Sequence, residues 1–310
     1  MTEQHLYILG HPIGHSKSPV MYNAVYEKAG LPWVYGARDL PTAAEAEAFL
    51  AAREFLSLNI TTPYKPEAFA AADVKAASAQ LAHGANVLVN HGGALIAYNT
   101  DGQGCVAYLE RAGVRFRKKS VVVCGTGPTA LSILHAVAQA GPAEVVLLGR
   151  DKARAQKVMR AYADELGAMI GRTVDMPAAK EGHLSFAQVY EKVAFKFGSY
   201  DTSRRALAAA DIIIDATPLG MSAGDGAPFD TSLLSAGQTV FDVVYGHGET
   251  ALAQAARAAG CTFFDGAGML VGQAVVTVNI LRDITGEGAL DIPEDELFAI
   301  MAAAAGFDLS

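Results

Sequence analysis

Apolar residues recur in two rhythms along this 310-residue chain, and the alternation between them predicts its elements. A short apolar run over 5–9, closed by Gly10, predicts a strand. Residues 18–29 space their apolar side chains at helical intervals up to Gly30 and predict a helix. A strand is expected over 33–37, an Ala/Glu-rich helix over 42–53, and a strand over 56–61 closed by Thr62-Pro63. Alternation of this kind points to an α/β domain.

After Gly102, a helix over 103–112 leads to the apolar strand 120–124. The Gly-rich segment Gly125-Thr126-Gly127-Pro128-Thr129-Ala130 follows, then an apolar helix to Ala140 and a strand over 144–148. This is a strand–glycine turn–helix–strand unit of about 30 residues. Two further buried-strand runs, 211–216 and 239–244, predict a parallel sheet covered on both faces. From Gly266 the chain reads as mostly helical, over 268–283 and 294–305, and those apolar faces need a partner in the first domain. The expected division is 1–102 plus 267–310 for one domain and 103–266 for the other. Residues 160–205 are mixed in charge and weakly periodic, with helical hints at 186–195.

Bulk properties narrow the function. The length suits two domains. With 51% apolar and 18% charged residues, the chain can bury large cores. The formal charge of -8 argues against nucleic acid as a partner. Three scattered cysteines, without CxxC or a Cys/His cluster, read as reduced packing residues and give no metal site. There is no signal-peptide pattern and no run of about 18 apolar residues, so a soluble cytoplasmic protein without a membrane partner is expected. Monomer and homodimer both stay open.

Gly125-x-Gly127-x-x-Ala130 follows a strand and opens a helix. The first Gly permits the tight turn, the second lets backbone approach a pyrophosphate, and the small Ala130 lets helix and strand pack closely. An ordinary Gly-rich turn is the plain alternative, but the flanking strands and helix favour a dinucleotide. At the tip of the second strand, Arg150 and Arg154 suit the 2′-phosphate of NADP, whereas Asp151 would repel it and accept from the 2′-hydroxyl of NAD. A solvated charged turn is the alternative. The balance leans slightly to NAD.

Three first-domain segments carry candidate chemistry. In Gly14-His15-Ser16-Lys17-Ser18-Pro19, two hydroxyls can hold a carboxylate, although Ser18 before Pro19 also reads as a helix cap. Asn59-Ile60-Thr61-Thr62-Pro63-Tyr64-Lys65 ends a strand, and Asn99-Thr100-Asp101-Gly102 stands at the domain junction. A Lys and an Asp from separate loops can converge in an interdomain cleft and manage a hydroxyl proton as hydride leaves carbon. Taken singly, each is an ordinary surface charge.

Together these segments resemble the shikimate dehydrogenase family. Residues 10–19 resemble its opening motif, 59–65 its NVTxPxK motif, and 99–102 with Gly104 its NTDGxG motif. Residues 216–221, 242–245 and 265–274 are similar to its later motifs, in family order. The resemblance implies an α/β substrate domain, a Rossmann doubly wound dinucleotide domain, and C-terminal helices returning to the first. It implies reversible NAD(P)-dependent oxidation of a ring hydroxyl of shikimate, or of a relative such as quinate, in the chorismate pathway of aromatic amino acid biosynthesis. Lys65 and Asp101 would be the catalytic pair. Ser16, Ser18, Thr61, Asn86, Tyr245 and Gln273 would bind the ring acid, and Thr217, Val243, Gly266 and Met269 would line the nicotinamide side.

Departures from the family pattern bear on specificity. Tyr22-Asn23 replaces His-Asn, Asn86 follows His83-Gly84-Ala85, and Gly149-Arg150-Asp151 replaces Asn-Arg-Thr. The stretch between Arg150 and Asp211 looks long, and reads as surface elaboration, a lid or an oligomer contact. These point to a paralogue that takes shikimate, quinate or an amino analogue. A methylenetetrahydrofolate-type dehydrogenase is a weaker reading. A catalytically silent dinucleotide- or metabolite-sensing regulator on the same fold is the alternative from another class, disfavoured by the intact Lys65 and Asp101.

Overall fold

Apolar alternation and glycine punctuation resolve into two sheets, each with its own core. The computed structural model describes residues 3–169, 183–185 and 193–309. It divides into two compact units, Met1–Gly104 with Leu270–Ser310, and Cys105–Met269. Two long helices, α5 and α10 below, run across the points of division.

The first unit holds β1 (Gln4–Gly10), α1 (Ser18–Lys28), β2 (Trp33–Asp39), α2 (Ala43–Ala52), β3 (Ser57–Ile60), α3 (Lys65–Ala71), β4 (Val74–Lys75), α4 (Ala77–Ala82), β5 (Val87–His91), β6 (Ala94–Tyr98) and the start of α5 (Asp101–Arg111). Its mixed sheet runs β2-β1-β3-β5-β6-β4. Leu9, Leu50, Leu58, Ile60, Leu88 and Leu95 are among its core residues, and each buried side chain of this size contributes about 1.5–3 kcal/mol. Helix α2 starts at a capping box, Thr42 with Glu45, which satisfies two otherwise bare backbone donors. The β5–β6 hairpin lies where the hydrophobic rhythm predicted no element. Its Gly92-Gly93 turn has both φ angles positive, at 61° and 86°, as a tight hairpin connection requires.

The second unit holds β7 (Ser120–Cys124), α6 (Pro128–Gln139), β8 (Glu144–Gly149), α7 (Lys152–Met169), β9 (His183–Ser185), β10 (Ala194–Ser199), α8 (Arg204–Ala209), β11 (Ile212–Asp215), β12 (Thr239–Asp242), α9 (Ala251–Ala258) and β13 (Thr262–Phe264). The sheet order is β13-β12-β11-β7-β8-β10-β9, parallel throughout except for β9. From β7 the chain moves outward through β8 and β10, then returns to β11 and moves the other way. That reversal is a topological switch point, and such sheets bind ligands at the strand ends beside it. All four residues of β11 are buried, as expected for a strand covered on both faces.

The chain closes with α10 (Ala267–Thr285) and α11 (Glu294–Ala305). Helix α11 packs on α1, so the C-terminal helices return to the first unit. By length and composition α10 alone among the described residues qualifies to cross a membrane, but 61% of its apolar window is buried inside the protein. That is the signature of a core helix. Two expectations change. Lys17, not Ser18, occupies the cap position of α1, and no side chain caps it. Of the helical hints at 186–195, residues 186–192 lie outside the described residues, and Ala194 and Phe195 begin strand β10. The supposed extra segment falls partly on 170–182 and 186–192, also outside them.

Candidate active site

Lys65 opens α3 and Asp101 opens α5, and their side chains form an ion pair between Nζ and Oδ2. The lysine side chain is 18% exposed and the aspartate 8%, so a small molecule can reach a pair that is largely dry. Asn86, just before β5, fixes the aspartate: its Nδ2 donates to Asp101 Oδ1 at 2.8 Å and to Thr100 Oγ1 at 3.0 Å. The amide is oriented from behind, because its Oδ1 accepts the Thr100 backbone N–H at 2.8 Å. That donor cannot be traded for an acceptor, so Nδ2 must face the carboxylate. Gln273 on α10 joins the cluster through Oε1, 3.4 Å from Thr100 Oγ1 and 3.5 Å from Asn86 Nδ2. The backbone geometry depends on Gly104: a Cβ there would run into the backbone of Gln273.

Asn99 sets the approach. Its Oδ1 accepts from Asp101 N at 3.2 Å and its Nδ2 donates to Gly84 O at 2.9 Å. Asn99 and Thr100 stood inside the recognised motif, but no role was assigned to them. Of the predicted acid-binding residues, Asn86 contacts Asp101 directly, and Gln273 reaches the pair through Asn86 and Thr100. Thr61 sits at the end of β3, where its N–H donates to Leu9 O at 2.9 Å. Ser16 Oγ accepts the Ser18 N–H at 3.2 Å, and Ser18 is buried. Beside Ser18, Tyr35 donates its hydroxyl to Asn59 Oδ1 at 2.8 Å, and its ring stacks on that of Tyr22 at 4.4 Å. Burial pushes both phenols well above their ordinary range. This tyrosine pair carries no short-range sequence signal, since its members come from α1 and β2. Tyr245 belongs to the second unit, where burial raises its phenol.

The Gly-rich turn lies at the switch point of the second unit. Gly125 has φ +116°, and a Cβ there would approach Ala216 O at 3.0 Å and the Ala130 side chain at 3.3 Å. Both the backbone angle and the space demand glycine. Gly127 is different: a Cβ there meets nothing within 4 Å, so its bare backbone faces open space. It is the cap residue of α6, makes no side-chain cap, and is followed by Pro128 at the first helical position. A helix N-terminus of this form attracts anionic oxygen, and the turn therefore fits a dinucleotide pyrophosphate. Thr126 packs over Gly149 at the end of β8, 3.0 Å from its notional Cβ.

At that strand tip Asp151 does not stand free. Its Oδ1 accepts the Ala153 N–H at 2.6 Å and the Arg154 N–H at 3.4 Å, capping α7. Arg150 and Arg154 are exposed beside it. Tyr200, which the sequence did not single out, lies near Gly125 and Arg150, with its phenol raised by burial. Thr217 follows β11 and Val243 follows β12, and Gly266 packs so tightly on the Val243 backbone that a Cβ would collide with it. Met269 is buried on α10.

Comparison with known proteins converges on one family. A family model described as the shikimate dehydrogenase substrate binding domain matches residues 8–88. The shikimate dehydrogenase (NADP(+)) of Symbiobacterium thermophilum is 35% identical over 270 residues, covering 86% of this chain and 84% of that protein. Among solved structures, shikimate dehydrogenase from Mycobacterium tuberculosis matches with TM-score 0.73 and 26% identity, covering 97% and 99% of the two chains. Quinate dehydrogenase from Corynebacterium glutamicum, in complex with NAD, matches with TM-score 0.74 and 28% identity, covering 97% and 100%. This chain belongs to the shikimate dehydrogenase family of NAD(P)-dependent oxidoreductases that act on a CH–OH group.

Proposed function

We propose that the protein interconverts shikimate and 3-dehydroshikimate with NADP, using Lys65 and Asp101 as its proton-handling pair. The observation that carries this reading is the Lys65–Asp101 ion pair held by Asn86, Thr100 and Gln273. Lys65 Nζ donates to the oxygen of the reacting ring hydroxyl, and the pair takes up the hydroxyl proton during oxidation and returns it during reduction. Asn86 keeps Asp101 from swinging, so Nζ stays aimed. Ser16, Ser18 and Thr61 hold the ring carboxylate, and Gln273 orients ring hydroxyls. The bound dinucleotide supplies the hydride acceptor or donor. Gly125, Thr126, Gly127, Pro128, Thr129 and Ala130 hold its pyrophosphate, with Thr217, Val243, Gly266 and Met269 on the nicotinamide side.

The NADP assignment rests on Asp151. Its Oδ1 is engaged by the N-terminus of α7, which disperses part of its negative charge and lowers its repulsion of a 2′-phosphate. That leaves Arg150 and Arg154 to meet a 2′-phosphate. Many relatives carry the name shikimate dehydrogenase (NADP(+)), as in Symbiobacterium. Quinate is the second candidate substrate, favoured by the full-length match to the Corynebacterium enzyme.

The test is a steady-state matrix of shikimate, quinate and their amino analogues against NADP and NAD. The expected result is the highest kcat/KM for shikimate with NADP. A quinate preference would overturn the substrate half, and equal use of NAD the cofactor half. Tight ligand binding with no turnover on any ring acid would identify a silent sensor instead.

A further inference from the structure

Three neighbouring strands of the second unit end in the same device. Asp215 closes β11, Asp242 closes β12, and Asp265 follows β13. In each case Oδ1 accepts the N–H two residues on: Thr217 at 2.9 Å, Val244 at 3.0 Å and Ala267 at 3.0 Å. The three turns so formed carry Thr217, Val243 and Gly266.

Asp215 and Asp242 are register partners on adjacent parallel strands, so their carboxyls share one face of the sheet. Both residues are fully buried. Asp242 is well supported, since its Oδ2 also accepts from Thr250 Oγ1 at 2.8 Å. Asp215 Oδ2 is buried with no hydrogen-bond partner. Two buried carboxyls in such proximity do not both ionise near neutral pH, and the charge goes to the better hydrogen-bonded one. The bare oxygen marks Asp215 as the one that holds the proton.

Among the described residues, the ionisable groups facing Asp215 add no cation. Cys124, its register partner on β7, has its thiol raised by burial and by Asp215 itself. Tyr200, after β10, has its phenol raised by burial, then by Cys124 and Asp215, with Arg150 opposing. Asp265 acts on Asp242 and raises it further. Among the described residues no group of three or more acidic, His or Cys side chains is placed to hold a metal ion.

We propose that Asp215 is a positioning residue for the nicotinamide end of the dinucleotide: as the neutral member of a buried carboxyl pair it holds the Thr217 turn in place, and a second charge beside Asp242 displaces that turn. The proposal rests on the dinucleotide reading of the second unit given above. Burial first, and the Asp242 charge second, push the Asp215 carboxyl up to about 8, against the opposing pull of its hydrogen bonds from Thr217. Once ionised, the carboxylate still binds Thr217 but stands bare at Oδ2 beside the Asp242 charge, and the displacement that relieves this repulsion carries the Thr217 turn with it.

The test follows NADPH fluorescence binding and the steady-state KM for NADP from about pH 6 to about pH 10. In the unaltered protein, the Kd is expected to rise several-fold through about pH 8. In Asp215→Asn, which keeps an acceptor for Thr217 and cannot ionise, the profile should be flat across that step. In Asp242→Asn, where the neighbouring charge is gone, the rise should move to lower pH. A step that survives unchanged in Asp215→Asn overturns the inference, as does one that Asp242→Asn fails to move. Absence of binding of both NADPH and NADH near pH 7 in the unaltered protein is a separate result, which overturns the dinucleotide reading and this inference with it.

Discussion

Asn86 Nδ2 lies 2.8 Å from Asp101 Oδ1, and this single contact determines which oxygen of the carboxylate Lys65 can use. The aspartate is held on one side by a neutral donor that is itself oriented by the Thr100 backbone. Its other oxygen is left to the lysine. Asn86→Ala should therefore lower kcat by roughly 10- to 100-fold through lost aim. It should also cost about 1–3 kcal/mol of stability, because the buried Thr100 N–H loses its acceptor. Dinucleotide Kd should not change, and a chemical melt alongside steady-state kinetics checks both halves.

Lys65→Ala should reduce kcat by about 10²–10⁴-fold, the range of a lost proton-transfer group. NADPH binding measured by fluorescence should persist, since the lysine and the Gly-rich turn belong to separate units. Near-normal turnover in this variant would refute the assigned role.

Arg150→Ala and Arg154→Ala should each raise KM for NADP by about 10-fold or more, as expected for a lost charge-assisted contact of ~1.5–3 kcal/mol. KM for NAD should hardly move. If both cofactors suffer equally, the arginines are not reading a 2′-phosphate.

Gly127→Val separates folding from binding. A side chain there enters open space, so the melting temperature should stay close to that of the unaltered protein. The same side chain occupies the approach to the α6 N-terminus and should abolish detectable NADPH binding. Gly104→Ala is the converse: its Cβ collides with the Gln273 backbone, and the melting temperature should fall.

Asp215→Asn should change stability with a definite sign. The carboxyl is raised from 3.8 to about 8 in the fold. Between about pH 4 and pH 8 the unfolded chain therefore releases a proton that the folded chain keeps. Folding stability falls with rising pH over that window, by at most about 1.4 kcal/mol per pH unit, and levels off above it. Asp215→Asn removes this slope, so its advantage in melting temperature should be larger at pH 8 than at pH 5. A constant difference between the two would contradict a neutral acid at this position.

Much of this molecule was legible in the chain, for local reasons. Strands β7, β8 and β11 are buried on both faces, so they read as unbroken apolar runs. Helix α6 announced itself by the glycine turn before it and its apolar spacing. The β5–β6 hairpin escaped because the run is short and its diglycine turn alone does not distinguish a hairpin from a loop. At Ala194 and Phe195, strand pairing with β8 overrides a weak local preference for helix.

The sequence by itself determined which residue types were available: the ordered motifs, the glycines of the dinucleotide turn, and a Lys and an Asp with no intrinsic reason to meet. Tertiary structure decided their states. It joined Lys65 to Asp101 across 36 residues of chain and buried Asp215 beside Asp242. Each of these outcomes depends on what lies within a few ångströms in space. Hydrogen-bond partners and desolvation come from residues distant in the chain, and no local pattern encodes them.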